Sequence, residues 1–87
     1  MTIEQGGAAP VTRSLVQELL VTRTGADPEV FEHAGGQALE DLGIDSLAVL
    51  ELTAVVQEEY RLEVPEDALK MSVDQIVTHL NFQAARA

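Results

Sequence analysis

Asp41-Leu42-Gly43-Ile44-Asp45-Ser46-Leu47 stands directly ahead of a long amphipathic run, and the boundary it sets organises the rest of the chain. Gly43 admits a tight or left-handed turn, and Asp45 and Ser46 are both good helix N-caps, so loop becomes helix here. Ser46 is thereby predicted to sit exposed at a helix N-terminus. A serine hydroxyl is a weak nucleophile by itself. The histidines, His33 and His79, are remote in sequence, and a Gly-x-Ser-x-Gly elbow is absent, so nothing encoded nearby activates it. Another protein must act on this hydroxyl.

The helix that follows is predicted from Ser46 to Arg61, about 24 Å long. Val49, Leu52, Thr53, Val56 and Tyr60 fall on one face and are assigned to the core. Leu47, Leu50, Glu51, Ala54 and Glu58 share another face that mixes apolar and acidic groups, which suits a partner's helix or basic groove.

Working outward, Leu15, Val16, Leu19 and Leu20 repeat at helical spacing between about Val11 and Arg23, and Gly25 stops that first helix. Its start is open between Pro10 in the first turn and Thr12 or Ser14 as cap. The connection over 24–45 is long for a compact domain. Asp27-Pro28 can open a short helical turn, Phe31, Leu39, Leu42 and Ile44 can pin the segment to the core, and Gly35-Gly36 marks its most mobile point. After the second helix Pro65 breaks the chain, and 66–70 can form a single turn, the short third helix. Ser72-Val73-Asp74-Gln75 fits a capping box, with Met71 and Ile76 as the accompanying hydrophobic staple. Val73, Ile76, Val77 and Leu80 complete the stripe of a last helix, and the tail 82–87 is expected to fray. Three long helices, one short one and no strand alternation indicate an all-α, up-and-down, four-helix bundle over 11–81, preceded by a flexible leader over 1–10.

Eighty-seven residues make one domain with a small core. Fifteen acidic against five basic side chains give a net charge of -10, which repels nucleic acid and anionic membrane. Nine carboxylates lie between Glu40 and Asp67 against one base, Arg61, a field that speeds encounter with basic docking patches. The chain has no cysteine, hence no disulfide, thiol nucleophile or cysteine zinc site. Two histidines without a convincing ligand set argue against a metal site, and Asp41 to Asp45 lacks the calcium-loop spacing. No apolar run can span a bilayer and the first ten residues lack signal-peptide character, so a cytoplasmic protein is expected.

The stretch from Leu39 through Ser46 to Leu52, with Gln57-Glu58-Glu59-Tyr60, Val64-Pro65-Glu66-Asp67 and a closing helix to Leu80-Asn81, resembles acyl carrier proteins. The resemblance implies the same helical bundle. It implies 4'-phosphopantetheine attached to Ser46 within Asp45-Ser46-Leu47, with Asp45 in capping and recognition, and no catalysis by the chain itself. An acyl chain would lodge among Val49, Leu52, Val56, Val73, Ile76 and Val77, and partners would dock on Leu47, Leu50, Glu51, Ala54 and Glu58.

The absence of an acidic residue at Ala48, the run Thr53 to Tyr60 and the compact Ala68-Leu69-Lys70-Met71 look like the discrete carriers of bacterial type II (aromatic) polyketide synthases. For a monomeric carrier of that kind the implied partners are a phosphopantetheinyl transferase, a malonyl transferase, a ketosynthase with its chain-length factor, and ketoreductase and cyclase enzymes. Ile44 stands where many of those carriers have tyrosine, and Glu51-Leu52 and Val64-Pro65 are shared with fatty-acid carriers, which form the alternative. Gly43-Ile44 in place of Gly-Gly speaks against a peptidyl carrier. A different class also fits the residues: an unmodified acidic adaptor binding through Leu47, Leu50 and Glu51.

Overall fold

The computed structural model describes residues 11–32 and 36–86. The leader over 1–10, His33 and Gly35 lie outside the described residues. Three α-helices form the bundle: α1 (Arg13–Thr24), α2 (Ser46–Tyr60) and α3 (Val73–Arg86). Three 3-10 turns, Pro28–Phe31, Leu39–Leu42 and Ala68–Lys70, occupy the connections. The single turn expected as a short third helix over 66–70 is the last of these, Ala68–Lys70, and is 3-10 rather than α. Its N–H groups close onto carbonyls three residues back, Ala68 to Pro65 at 3.1 Å, Lys70 to Asp67 at 2.9 Å and Met71 to Ala68 at 3.0 Å, so the segment is a tight 3-10 turn rather than an α-helix. The bundle therefore has three α-helices, not four.

The local chemistry explains each boundary. Thr12 settles the start of α1, its Oγ1 accepting from the Leu15 N–H at 3.1 Å, and Gly25 ends the helix in the left-handed region at φ 81°. Asp27 accepts from the Glu29 N–H at 2.9 Å and opens the Pro28–Phe31 turn. The capping box before α3 forms in both directions: the Gln75 N–H donates to Ser72 Oγ at 3.1 Å, and the Ser72 N–H donates to Gln75 Oε1 at 2.9 Å. The sequence places the end of this helix near Asn81, and α3 continues to Arg86.

α1 packs against both α2 and α3. Leu20, Leu39, Leu52 and Ile76 have no exposed surface, each contributing about 2 kcal/mol of apolar burial. Leu39 belongs to the long connection, and its N–H donates to the Met71 carbonyl at 3.0 Å beside an antiparallel bridge between Ala38 and Ser72. That contact ties the segment leading into α2 to the segment leading into α3. Tyr60, expected in the core, is 38% exposed. It lies on the last turn of α2, where the stripe has run past the end of the packed interior. Thr53 is half-buried and turns its hydroxyl back to the Val49 carbonyl at 2.8 Å.

Candidate functional site at the start of the second helix

The approach to Ser46 is built in three steps. The Leu39–Leu42 turn ends on Gly43 at φ 84°, whose N–H closes onto the carbonyls of Glu40 and Leu39. A residue with a side chain is strained at that angle, so glycine lets the chain reverse here at little cost. Ile44 then drops into the core at 5% exposure, its N–H donating to the Leu39 carbonyl at 3.1 Å, and so fixes the height at which the next residue leaves the surface.

Asp45 is the N-cap. Its Oδ1 accepts from the Ala48 N–H at 2.9 Å with the extended backbone a cap requires. Sequence reading leaves Asp45 and Ser46 as alternative caps, and the structure assigns the task to the carboxylate. Ser46 is consequently the first helical residue, exposed, and among the described residues its hydroxyl makes no hydrogen bond. A hydroxyl spent on capping would be turned back toward the helix; this one is not. The Ser46 and Leu47 N–H groups, in the first turn, have no intrahelical acceptor and stand at the positive end of the α2 dipole. An anion esterified to Ser46 Oγ meets favourable charge there. These residues fit a phosphate-linked prosthetic group.

Beside the serine, Leu47 is 63% and Leu50 is 65% exposed. Glu51, Ala54 and Glu58 are exposed as well, so the five residues expected on one outer face lie there together, away from the core. Ala48 is buried at 8% and, with Asp45, Ile44 and the Thr24–Asp27 segment, lines a cavity of about 250 Å³. Its burial escapes a reading of spacing alone, because it is created by the chain returning from α1 over the first turn of α2.

The six residues expected to border an acyl chain are brought together in the interior. Leu52, Val56, Val73 and Ile76 are buried, Val49 is 9% exposed, and Val77 packs against the same cluster. They fill the space between the helices. A groove of about 830 Å³ opens elsewhere, along the outer side of α3, lined by Pro65, Lys70, Met71, His79 and Phe82 among others. His79 is exposed on α3. Among the described residues no group of three or more His, Cys, Asp or Glu is arranged to hold a metal ion, and no helix is long and apolar enough to cross a membrane.

Residues 14–80 match the family described as phosphopantetheine attachment site. The chain is 40% identical over 63 residues to an acyl carrier protein of Bdellovibrio bacteriovorus, covering 71% of this chain and 80% of that protein. It is 40% identical over 73 residues to an acyl carrier protein of Streptomyces coelicolor, covering 78% of this chain and 79% of the relative. A third acyl carrier protein, from Zymomonas mobilis, is 35% identical over 60 residues, covering 68% of this chain and 74% of that protein. No solved structure matches.

Proposed function

The chain belongs to the phosphopantetheine-attachment family and is an acyl carrier protein bearing covalent 4'-phosphopantetheine, and from this we propose that Ser46 is the attachment residue and that the domain over 11–81 serves polyketide assembly. The observation that carries the assignment is the division of labour between neighbours: Asp45 closes the first turn of α2, which leaves the exposed Ser46 hydroxyl uncommitted.

A separate phosphopantetheinyl transferase supplies the base. Ser46 Oγ attacks a phosphorus of the coenzyme A pyrophosphate, its proton passes to that base, and the nucleotide half leaves as the P–O–P bond breaks. The first-turn N–H groups of α2 would offer favourable partial charge to a phosphodiester at Ser46. When bound, the group supplies a thiol on which acyl units ride as thioesters, more electrophilic at carbonyl carbon than oxygen esters. Leu47, Leu50, Glu51, Ala54 and Glu58 present the loaded arm to synthase partners with basic docking surfaces. Partner enzymes perform the catalysis.

Support for a polyketide pathway comes from Ala48, which is folded beneath the Thr24–Asp27 segment where many fatty-acid carriers hold a carboxylate, and from the likeness of 53–60 and 68–71 to type II polyketide carriers. The matched relatives bear the general name acyl carrier protein, which keeps fatty-acid synthesis as the second reading.

Incubation with coenzyme A, magnesium and a broad transferase is expected to add one phosphopantetheine mass to the wild type and none to Ser46→Ala. An unmodified wild type beside a modified control carrier would overturn the attachment. The malonyl-loaded protein is then expected to support chain building by a minimal ketosynthase and chain-length-factor pair better than by fatty-acid elongation enzymes. The reverse preference sinks the polyketide reading and leaves the carrier intact.

A further inference from the structure

The five basic residues divide into two groups by position. Arg13 and Arg23 are engaged with carboxylates of the same fold, Asp74 at 2.6 Å and Glu59 at 3.0 Å. Arg61, Lys70 and Arg86 are exposed and, among the described residues, form no ion pair. Arg61 and Arg86 line a groove of about 410 Å³ together with Leu62, His79, Phe82 and Gln83. His79 and Phe82 also border the larger groove that contains Lys70, so the two depressions share a wall on α3. On a chain of net charge -10 the cations without a carboxylate partner gather here; Asp67 and Asp74 border the larger groove beside Lys70, and the smaller groove holds Arg61 and Arg86 with no carboxylate in its lining.

Bases at helix C-termini offset the partial charge of unpaired carbonyls, and Arg61 and Arg86 both stand at such ends. That service alone does not account for the surface. Arg61 caps α2 in the left-handed region at φ 58°, where glycine is the low-strain choice, so a long cationic side chain is kept at a position that disfavours one. Phe82 stands in the groove at 61% exposure, with the Arg86 guanidinium 5.4 Å from its ring centroid. An aromatic ring left in water beneath a cation gains from being covered. The groove is tied to the loop after α2: Gln83 Nε2 donates to the Glu63 carbonyl at 2.6 Å, and the Glu63 N–H donates to Gln83 Oε1 at 2.9 Å.

We infer that this groove docks an acidic segment of a partner protein, its carboxylates on Arg61 and Arg86 and an apolar side chain over Phe82. Charge complementarity selects the occupant. A basic partner is drawn to the carboxylates of α2 instead, and an anionic membrane, a far more extended array of negative charge than a short acidic segment, meets more of the chain's net charge of -10. α2 has 15 residues, about 22 Å, so Arg61 and Ser46 mark opposite ends of one helix. An enzyme whose contacts on α2 end short of Arg61 leaves the groove free, and a second, acidic protein can then be held at the same time. The inference uses the carrier reading only for what the docking serves; the contact itself needs no modified serine.

The test is an NMR titration of the isotope-labelled full chain with a short synthetic peptide of glutamates flanking Leu-Phe, against a lysine counterpart. The acidic peptide is expected to move the amides of Arg61, His79, Phe82 and Arg86, and the lysine peptide to leave them unmoved. Arg61→Glu/Arg86→Glu is expected to weaken binding at least about tenfold, with Arg86→Glu and Phe82→Ala each weakening it severalfold and transferase loading at Ser46 unchanged in all three. Shifts that are missing, that appear equally with the lysine peptide, or that persist in the double variant would overturn the inference. So would a double variant whose thermal midpoint falls while peptide binding stays, since the arginines then serve only the helix ends. If phosphatidylglycerol vesicles, or concentration of the protein alone, move the same amides more effectively than the peptide, the face belongs to a lipid surface or a second copy and the inference fails. Loading at Ser46 is scored separately, so failure of the groove and failure of the carrier reading remain distinct.

Discussion

Asn81 holds both backbone groups of Val11: the Val11 N–H donates to Asn81 Oδ1 at 2.7 Å, and Asn81 Nδ2 donates to the Val11 carbonyl at 2.9 Å. One side-chain amide thus does for Val11 what a neighbouring strand would do. Gln83 treats Glu63 in the same manner two residues later. Together they fasten the last turns of α3 to the lead-in of α1 and to the loop after α2, which is why the helix runs on to Arg86.

Asn81→Ala leaves two half-buried backbone groups without their partner. A loss of about 1–3 kcal/mol in urea unfolding is expected. A loss below about 0.5 kcal/mol would mean that water replaces the amide on both groups.

Asp45→Ala removes a cap and is expected to cost about 0.5–2 kcal/mol. Ser46→Ala, at an exposed first helical position, is expected to change stability by less than about 0.5 kcal/mol while abolishing transferase loading. Equal losses of stability from the two substitutions would show the serine sharing the cap.

Leu52 and Leu50 are two residues apart with opposite surroundings, 0% against 65% exposed. Leu52→Ala is expected to destabilise by about 2–5 kcal/mol through lost burial and a residual cavity, and Leu50→Ala by less than about 1 kcal/mol. Chemical denaturation of both variants checks the assignment of the α2 faces.

The faces of α2 are legible because helical spacing is a local property: Val49, Leu52 and Val56 repeat on one side, and Leu47, Leu50, Ala54 and Glu58 on the other. The capping box at Ser72 and Gln75 is equally local and forms as the sequence indicates. What spacing does not carry is where the interior ends and what returns over it. Tyr60 continues the apolar stripe after the neighbouring helix has ceased to cover it, and Ala48 is buried only because the Thr24–Asp27 segment comes back across α2. Asn81 enters the sequence reading only as the end of the last helix, and Gln83 only within a tail expected to fray, since partners 70 and 20 residues away leave no mark in a short window. At the site, residue types narrowed the cap to Asp45 or Ser46, and a single hydrogen bond chose between them.

Glu51→Lys and Glu58→Lys place positive charge on an exposed stripe that packs against nothing in the fold. Each is expected to slow acyl transfer to partner enzymes and to leave the thermal midpoint nearly unchanged. Raised salt is expected to slow the wild type similarly. Partner kinetics that ignore both charge reversal and salt would refute an acidic recognition face.

At Arg61 the usual order of helix preference is expected to invert. Inside a helix alanine exceeds glycine by about 1 kcal/mol, whereas at φ 58° glycine avoids the clash between Cβ and backbone. Arg61→Gly is expected to be more stable than Arg61→Ala by about 0.5–1 kcal/mol. Alanine matching or exceeding glycine in thermal unfolding would place this residue outside the left-handed region.

The fastenings at Asn81 and Gln83 are made by uncharged amides in a chain that is otherwise densely acidic. Neither amide gains or loses a proton across the ordinary range of acidity, and dissolved ions have little purchase on a neutral contact. The attraction proposed between the α2 carboxylates and a basic partner responds to dissolved ions. Rigidity and reception thus answer to different controls: a rise in ionic strength can let a bound enzyme go while the scaffold it releases keeps its shape for the next.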